Sequence, residues 1–241
     1  MTTSDDFRAS SIGYSLHGLA RLAMSAAACE LSDAARAAVP TSVDAYHHDH
    51  GHCDGGSWLE VAARIAAEGR DFLTATVVFE RLRGATWEEI GKALGGITRQ
   101  AAHDRYGTAV AEWEARAIRA WLNPDSASQL LGPAVGDPAG TIRRLNEWVT
   151  GHEGTERDAH EDQVGLGLGA NTLHDHYKLV IAAARLLLDT STPAEERATL
   201  ELAYARRKAE LYARMNAKSN EKAQRLFAEI RARLTELEAQ R

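Results

Sequence analysis

A guanidinium and a carboxamide stand side by side at Arg99 and Gln100, followed by an imidazole at His103 and a second guanidinium at Arg105. These groups recognise and grip rather than transform, since none of them is a nucleophile held beside a base. Arginine can pair through two hydrogen bonds with the O6 and N7 edge of guanine, and glutamine can do the same with adenine. On a helix, Arg99 and His103 lie four apart on one face with Gln100 beside them. Ala102 and Tyr106, also four apart, turn the other way. Thr98 is placed to cap that helix, and its hydroxyl can also donate to a phosphate drawn to the helix N-terminus. Arg105 is better placed for a phosphate than for a base.

Such side chains need a rigid mount, and the preceding residues supply one. Thr86 and Glu89 have capping-box spacing, so each can satisfy a backbone N–H of the other's turn. Trp87, Ile90 and Leu94 then share one side of a two-turn helix and face the core, while Gly91 is small where a second helix must come close. Gly95 and Gly96 suit a turn that other residues would find strained, and Ile97 fills the corner. The pattern over about 86–107 predicts a helix-turn-helix whose second helix enters the DNA major groove. The residues expected to bind DNA are Thr98, Arg99, Gln100, His103 and Arg105.

The run Trp87-x-x-Ile90-Gly91-x-x-Leu94-Gly95, followed by Thr98-Arg99-Gln100-Ala101-Ala102, resembles the helix-turn-helix of the region-4-like domains of bacterial sigma factors and related small regulators. The likeness covers roughly 66–121. It implies a longer packing helix before the motif, which Ala66–Arg83 would supply, and base-reading positions at Arg99, Gln100 and His103. Gly95-Gly96-Ile97 holds one residue more than the usual turn. Nothing outside this stretch looks like the core-polymerase-binding part of a sigma factor.

The rest of the 241 residues reads as helix. Alanine and leucine dominate the apolar residues, proline is scarce, and no segment alternates cleanly as a strand, so the fold class expected is all-α. A helical domain over 1–125 would contain the helix-turn-helix, with a turn-rich linker at 126–140 marked by Pro133 and Pro138. A helical region over 141–241 would follow, including a polar loop from Gly151 to about Gly169. From Thr192-Pro193 to Arg241 no further proline or glycine occurs; a straight helix there would be roughly 70 Å long. Ala223, Phe227, Ile230, Leu234 and Leu237 alternate four- and three-residue steps, the seam of a coiled coil through which a homodimer could form. Asn216 to Asn220 marks a natural break in it.

The net charge is −6, but residues 80–125 carry seven basic and seven acidic side chains, while both flanks up to 193 are acidic. Acidic flanks repel non-specific DNA, so binding would rest on a local patch and base contacts. Cys29 and Cys53 make no disulfide framework, the start of the chain lacks the pattern of a signal peptide, and no apolar run is long enough for a membrane span. A cytoplasmic protein is expected.

Other constellations have plainer readings. His47, His48, His50, His52 and Cys53 carry ligand chemistry for zinc, copper or nickel, with His47, His50, His52 and Cys53 as the candidate set. Their spacing matches no zinc finger, so a solvated loop is preferred and no metal is expected. His174-Asp175-His176 reads as a helix start with a capping and surface role, and Arg206-Arg207-Lys208 as a solvated face. Gly165 to Gly169 lacks the flanking strand that a phosphate-binding loop needs. No enzyme and no cofactor are expected. The expected function is sequence-specific binding of double-stranded DNA by a transcriptional regulator. The alternative is a helical scaffold acting through its long terminal helix.

Overall fold

The structure is a computed structural model that describes residues 13–39, 57–152, 162–188, 192–216 and 221–239. The protein is all-α, with ten helices and no strand among the described residues. They are α1 (Leu16–Ala37), α2 (Ser57–Arg83), α3 (Trp87–Ala93), α4 (Arg99–Leu122), α5 (Ala127–Leu131), α6 (Pro133–Gly136), α7 (Pro138–His152), α8 (Leu173–Leu187), α9 (Ala194–Asn216) and α10 (Glu221–Ala239). Among these residues no helix is long and apolar enough to cross a membrane. The histidine loop with His47, His48, His50, His52 and Cys53 lies outside the described residues.

Two compact units interleave along the chain. One is built from residues 17–110 and 140–168, the other from residues 111–139 together with the described parts before 17 and after 169. A clean division at 126–140 is therefore not what the chain adopts. That segment was expected to be a linker, yet it forms a 3-10 turn (Pro124–Ser126) and the short helices α5 and α6. Ala127 and Val135 are buried in it. Pro133 and Pro138 sit at the first positions of α6 and α7, where proline's missing N–H costs nothing.

In the unit that carries Arg99, α1 buries Leu19, Leu22 and Ala34. Asp33 on its exposed side accepts a 3.0 Å hydrogen bond from the Trp148 indole of α7. The glycine-rich run beyond α7 is ordered by side chains rather than by a strand. Asn146 donates to Asp162 at 3.1 Å and accepts from the Val164 amide at 2.9 Å. Arg21 donates to the Gly167 carbonyl at 2.5 Å, and Leu168 is fully buried. A Cβ at Gly167 would meet the end of the flexible Arg21 side chain, which can shift to make room.

In the other unit, Ile118, Trp121 and Leu122 of α4 pack with Leu179, Val180 and Ala183 of α8 and with Leu200 and Leu211 of α9. Burying each large aliphatic side chain contributes about 1.5–3 kcal/mol. The terminal region is no straight rod. Helix α9 stops at Asn216 and α10 packs back on it, with Ile230 buried and Arg206 donating to Glu238 at 2.9 and 3.1 Å. Arg206-Arg207-Lys208 is only partly the solvated face its charge suggests, because Arg207 stacks over the Trp121 ring, 5.5 Å from its centroid.

His176 departs from the surface role expected of it. It is 6% exposed, edge-on to Trp121, with its Nε2 3.2 Å from the Arg207 carbonyl and its Nδ1 3.2 Å from Arg214 Nη1. A carbonyl only accepts and a guanidinium only donates, so the ring is neutral with its proton on Nε2. Burial pushes its pKa down, helped by the Arg214 and Arg207 charges and opposed by Glu210 and the Arg207 carbonyl. The unfolded chain therefore takes up this proton at a higher pH than the folded one does. Stability contributed by neutral His176 is complete above the ordinary value near 6.5 and falls as the pH drops below it. Urea unfolding at about pH 7.5 and about pH 5.5 is expected to show a larger acid loss for the wild type than for His176→Gln. Equal losses would remove His176 from this role.

Candidate nucleic-acid interface

The capping box and the glycine corner expected at the turn are present, while Trp87, Leu94 and Ile97 are only half-buried. The Thr86 hydroxyl accepts from the Glu89 amide at 3.2 Å, and the Glu89 carboxylate accepts from the Thr86 amide at 2.7 Å and from its hydroxyl at 2.8 Å. Those bonds hold the Glu89 pKa below the usual carboxylate range. Ile90 and Gly91 are buried, and Leu94 ends the helix. Gly95 and Gly96 take φ of +89° and +80°, which only glycine adopts without strain.

Gly91 is the pivot. A Cβ there would stand 2.4 Å from the Ile97 carbonyl oxygen and 3.3 Å from that of Thr98, both backbone atoms of the turn. No side-chain rotation can relieve that contact, so Gly91→Ala must displace the start of α4. Its expected cost is about 1–3 kcal/mol, read as a lowered urea midpoint. An unchanged midpoint would mean that the turn yields freely.

Thr98 caps α4 as its sequence position requires: its hydroxyl accepts from the Ala101 amide at 3.1 Å and its carbonyl from the Ala102 amide at 3.0 Å. Ala102 is fully buried and Tyr106 nearly so, which leaves Arg99, Gln100, His103 and Arg105 on the exposed side. No hydrogen bond or ion pair engages Arg99 or Arg105 among the described residues, so both guanidinium groups are available. Trp87 ties three helices together. Arg81 of α2 lies 4.7 Å over its ring, and His103 of α4 meets it edge-on at 5.3 Å. His103 is thus more restrained than Arg99, and its ring also lies over Gly107, where a Cβ would come within 3.1 Å of it.

Two features of α4 differ from expectation. Its helix does not end near Gly107 but runs as one piece for 24 residues, roughly 36 Å. An internal glycine costs about 1 kcal/mol relative to alanine. Against it stands an unbroken buried stripe, Ala102, Tyr106, Val110, Trp113, Ala117 and Trp121, which favours continuing the helix. The second feature is Asp104. The Gln100 amide donates to the Asp104 carboxylate at 2.6 Å, and His103 Nδ1 lies 3.7 Å from the same oxygen. The four-residue spacing from Gln100 to Asp104 is the one at which side chains on a helix meet, so Gln100 is not a free reading group in the absence of DNA.

Among the described residues no group of three or more histidine, cysteine, aspartate or glutamate side chains is placed to hold a metal ion. Cys29 sits beside Asp33, 3.8 Å from its carboxylate, and burial together with that charge pushes its thiol pKa up, away from a reactive thiolate. Compared with known proteins, the chain matches no family model, no curated protein and no solved structure.

Proposed function

We propose that this protein binds double-stranded DNA sequence-specifically through α3 and α4, acting as a cytoplasmic transcriptional regulator of the kind its sigma region-4-like motif resembles. The observation that carries the reading is the start of α4. Arg99 and Gln100 stand exposed side by side on a capped first turn whose opposite face is buried at Ala102 and Tyr106. In this reading Arg99 pairs with a guanine edge, Gln100 contacts the adjacent base, and Thr98 and Arg105 grip phosphate. His103, braced on Trp87, supports the edge of the contact rather than its centre.

Selection of bound duplexes from a random pool tests it. A recurring motif containing guanine is expected, with affinity that falls steeply as salt rises. No enrichment over the input pool would sink the reading. Pairing of two chains would appear as an inverted repeat with half-sites about one helical turn apart, and a single copy as one half-site.

A further inference from the structure

The unit that holds the terminal helices contains a space that its own side chains do not fill. It lies where the end of α8 meets α9 and α10, and its volume is about 520 Å³. Sites for small molecules run to roughly 300–1,000 Å³. Leu187, Leu188, Ile230 and Leu237 supply apolar walls, and the half-buried Tyr204 supplies an aromatic one. Leu188 is 80% exposed, so the apolar lining continues to the mouth, and a guest covering it would be stabilised by that burial.

Four charged side chains line the same space, and their pairing decides which guest it fits. Lys208 lies over the Tyr204 ring, its ammonium 5.7 Å from the centroid, and Arg233 is bonded to Glu236 at 3.1 Å. Each cation therefore has a partner within the protein. The carboxylates of Glu201 on α9 and Glu229 on α10 have neither a hydrogen bond nor an ion pair among the described residues. With Arg233 neutralised by Glu236, the lining carries one positive charge, on Lys208, and two negative ones. One cationic head group brings that sum to zero. An anion would meet two unpaired carboxylates, and a neutral guest would strip water from them without replacing it, which is costly. Tyr204 adds to the preference. Burial pushes its phenol pKa up, so the hydroxyl stays protonated, and its oxygen can accept from an ammonium N–H.

We propose that this cavity binds a small lipophilic cation, an organic amine whose apolar body lies against Leu187, Ile230 and Leu237 and whose charge is neutralised by Glu201 and Glu229. The lining belongs to one unit and does not rest on the DNA-binding reading, so either can fail without the other.

Three ligands with one apolar body separate charge from hydrophobic burial: naphthylbutylamine, naphthylbutanol and naphthylbutyrate. Each is titrated calorimetrically into the full chain at neutral pH and low salt. The wild type is expected to bind the amine about tenfold more tightly than the alcohol, and the butyrate most weakly. Glu201→Gln combined with Glu229→Gln keeps the side-chain volumes, and neither residue is buried, so the double variant is expected to fold, with unchanged helicity as the check. It should bring the amine down to the affinity of the alcohol and leave the alcohol where it was. Raised salt should weaken binding of the amine and not of the alcohol. An amine bound no more tightly than the alcohol, a butyrate bound more tightly than the amine, an amine preference that survives in the double variant, or no binding of any of the three overturns the proposal.

Discussion

Replacing Arg99 and Gln100 together by alanine is expected to lower affinity for the selected duplex by two powers of ten or more, about 3 kcal/mol, with little change for unrelated DNA. Each good base contact is worth about 1–3 kcal/mol of discrimination, and the two side chains supply the base contacts of the first turn. The contrast between targets is what makes the result specific. Arg105→Ala, which removes a phosphate contact, should instead weaken binding to all sequences similarly and reduce the salt dependence by about one unit of slope. Neither change touches a buried group, since Arg99, Gln100 and Arg105 are all exposed. Unfolding midpoints should therefore stay within about 0.5 kcal/mol of the wild type. Titration of labelled duplex in a mobility-shift assay reads the outcome. If the double variant retained its preference for the selected site, base reading would have to lie elsewhere on the chain.

That the turn was legible in the sequence has a physical reason: its determinants are local. The capping box needs only Thr86 and Glu89, the corner needs Gly95 and Gly96, and the inward face needs Ala102 and Tyr106 four apart. None of these depends on what lies far along the chain. Gly107 shows where local reasoning stops. By type it equals Gly95, yet it sits inside a helix because buried side chains continue the stripe on both sides of it. Residues 126–140 looked like a linker because they are rich in glycine and proline, but Ala127 and Val135 are buried there and the segment coils into short helices. At Gly165 to Gly167 local bonds to Asp162 and Val164 are joined by distant ones, from Arg21 to the Gly167 carbonyl and from Asn146 to the flanking Asp162 and Val164.

His176 and Asp104 illustrate two different omissions. Histidine two residues from another histidine at a helix start reads as polar surface, and only the packing of α8 against Trp121 and Arg207 turns His176 into a buried neutral ring. No pattern within the helix could reveal that. Asp104 was missed for the opposite reason. Its partner Gln100 lies on the same helix at the spacing where side chains meet, so the pairing was accessible from sequence and needed only the question of what each reading group would hold in the absence of DNA.

Trp121→Ala should destabilise the fold by about 3–5 kcal/mol, the range for deleting a large buried aromatic. Trp121 is 5% exposed at the centre of the core formed by α4, α8 and α9. Its ring has the His176 edge on one side, at 5.4 Å, and the Arg207 guanidinium at 5.5 Å. Removing it leaves a cavity lined partly by polar groups, which water can enter, so the void term is softened and the loss should fall nearer the lower bound. The same water rehydrates His176, and the burial that holds its pKa down is then relieved. A second effect follows that mere loss of packing would not produce: the extra destabilisation of the wild type below about pH 6.5 should shrink in Trp121→Ala. Trp121→Phe keeps an aromatic edge against His176 and should restore most of both properties. Urea unfolding of the three proteins at about pH 7.5 and about pH 5.5 separates the effects. A loss under about 1 kcal/mol, or a pH dependence in Trp121→Ala as large as the wild type's, would mean that this ring neither fills the core nor shields the imidazole beside it.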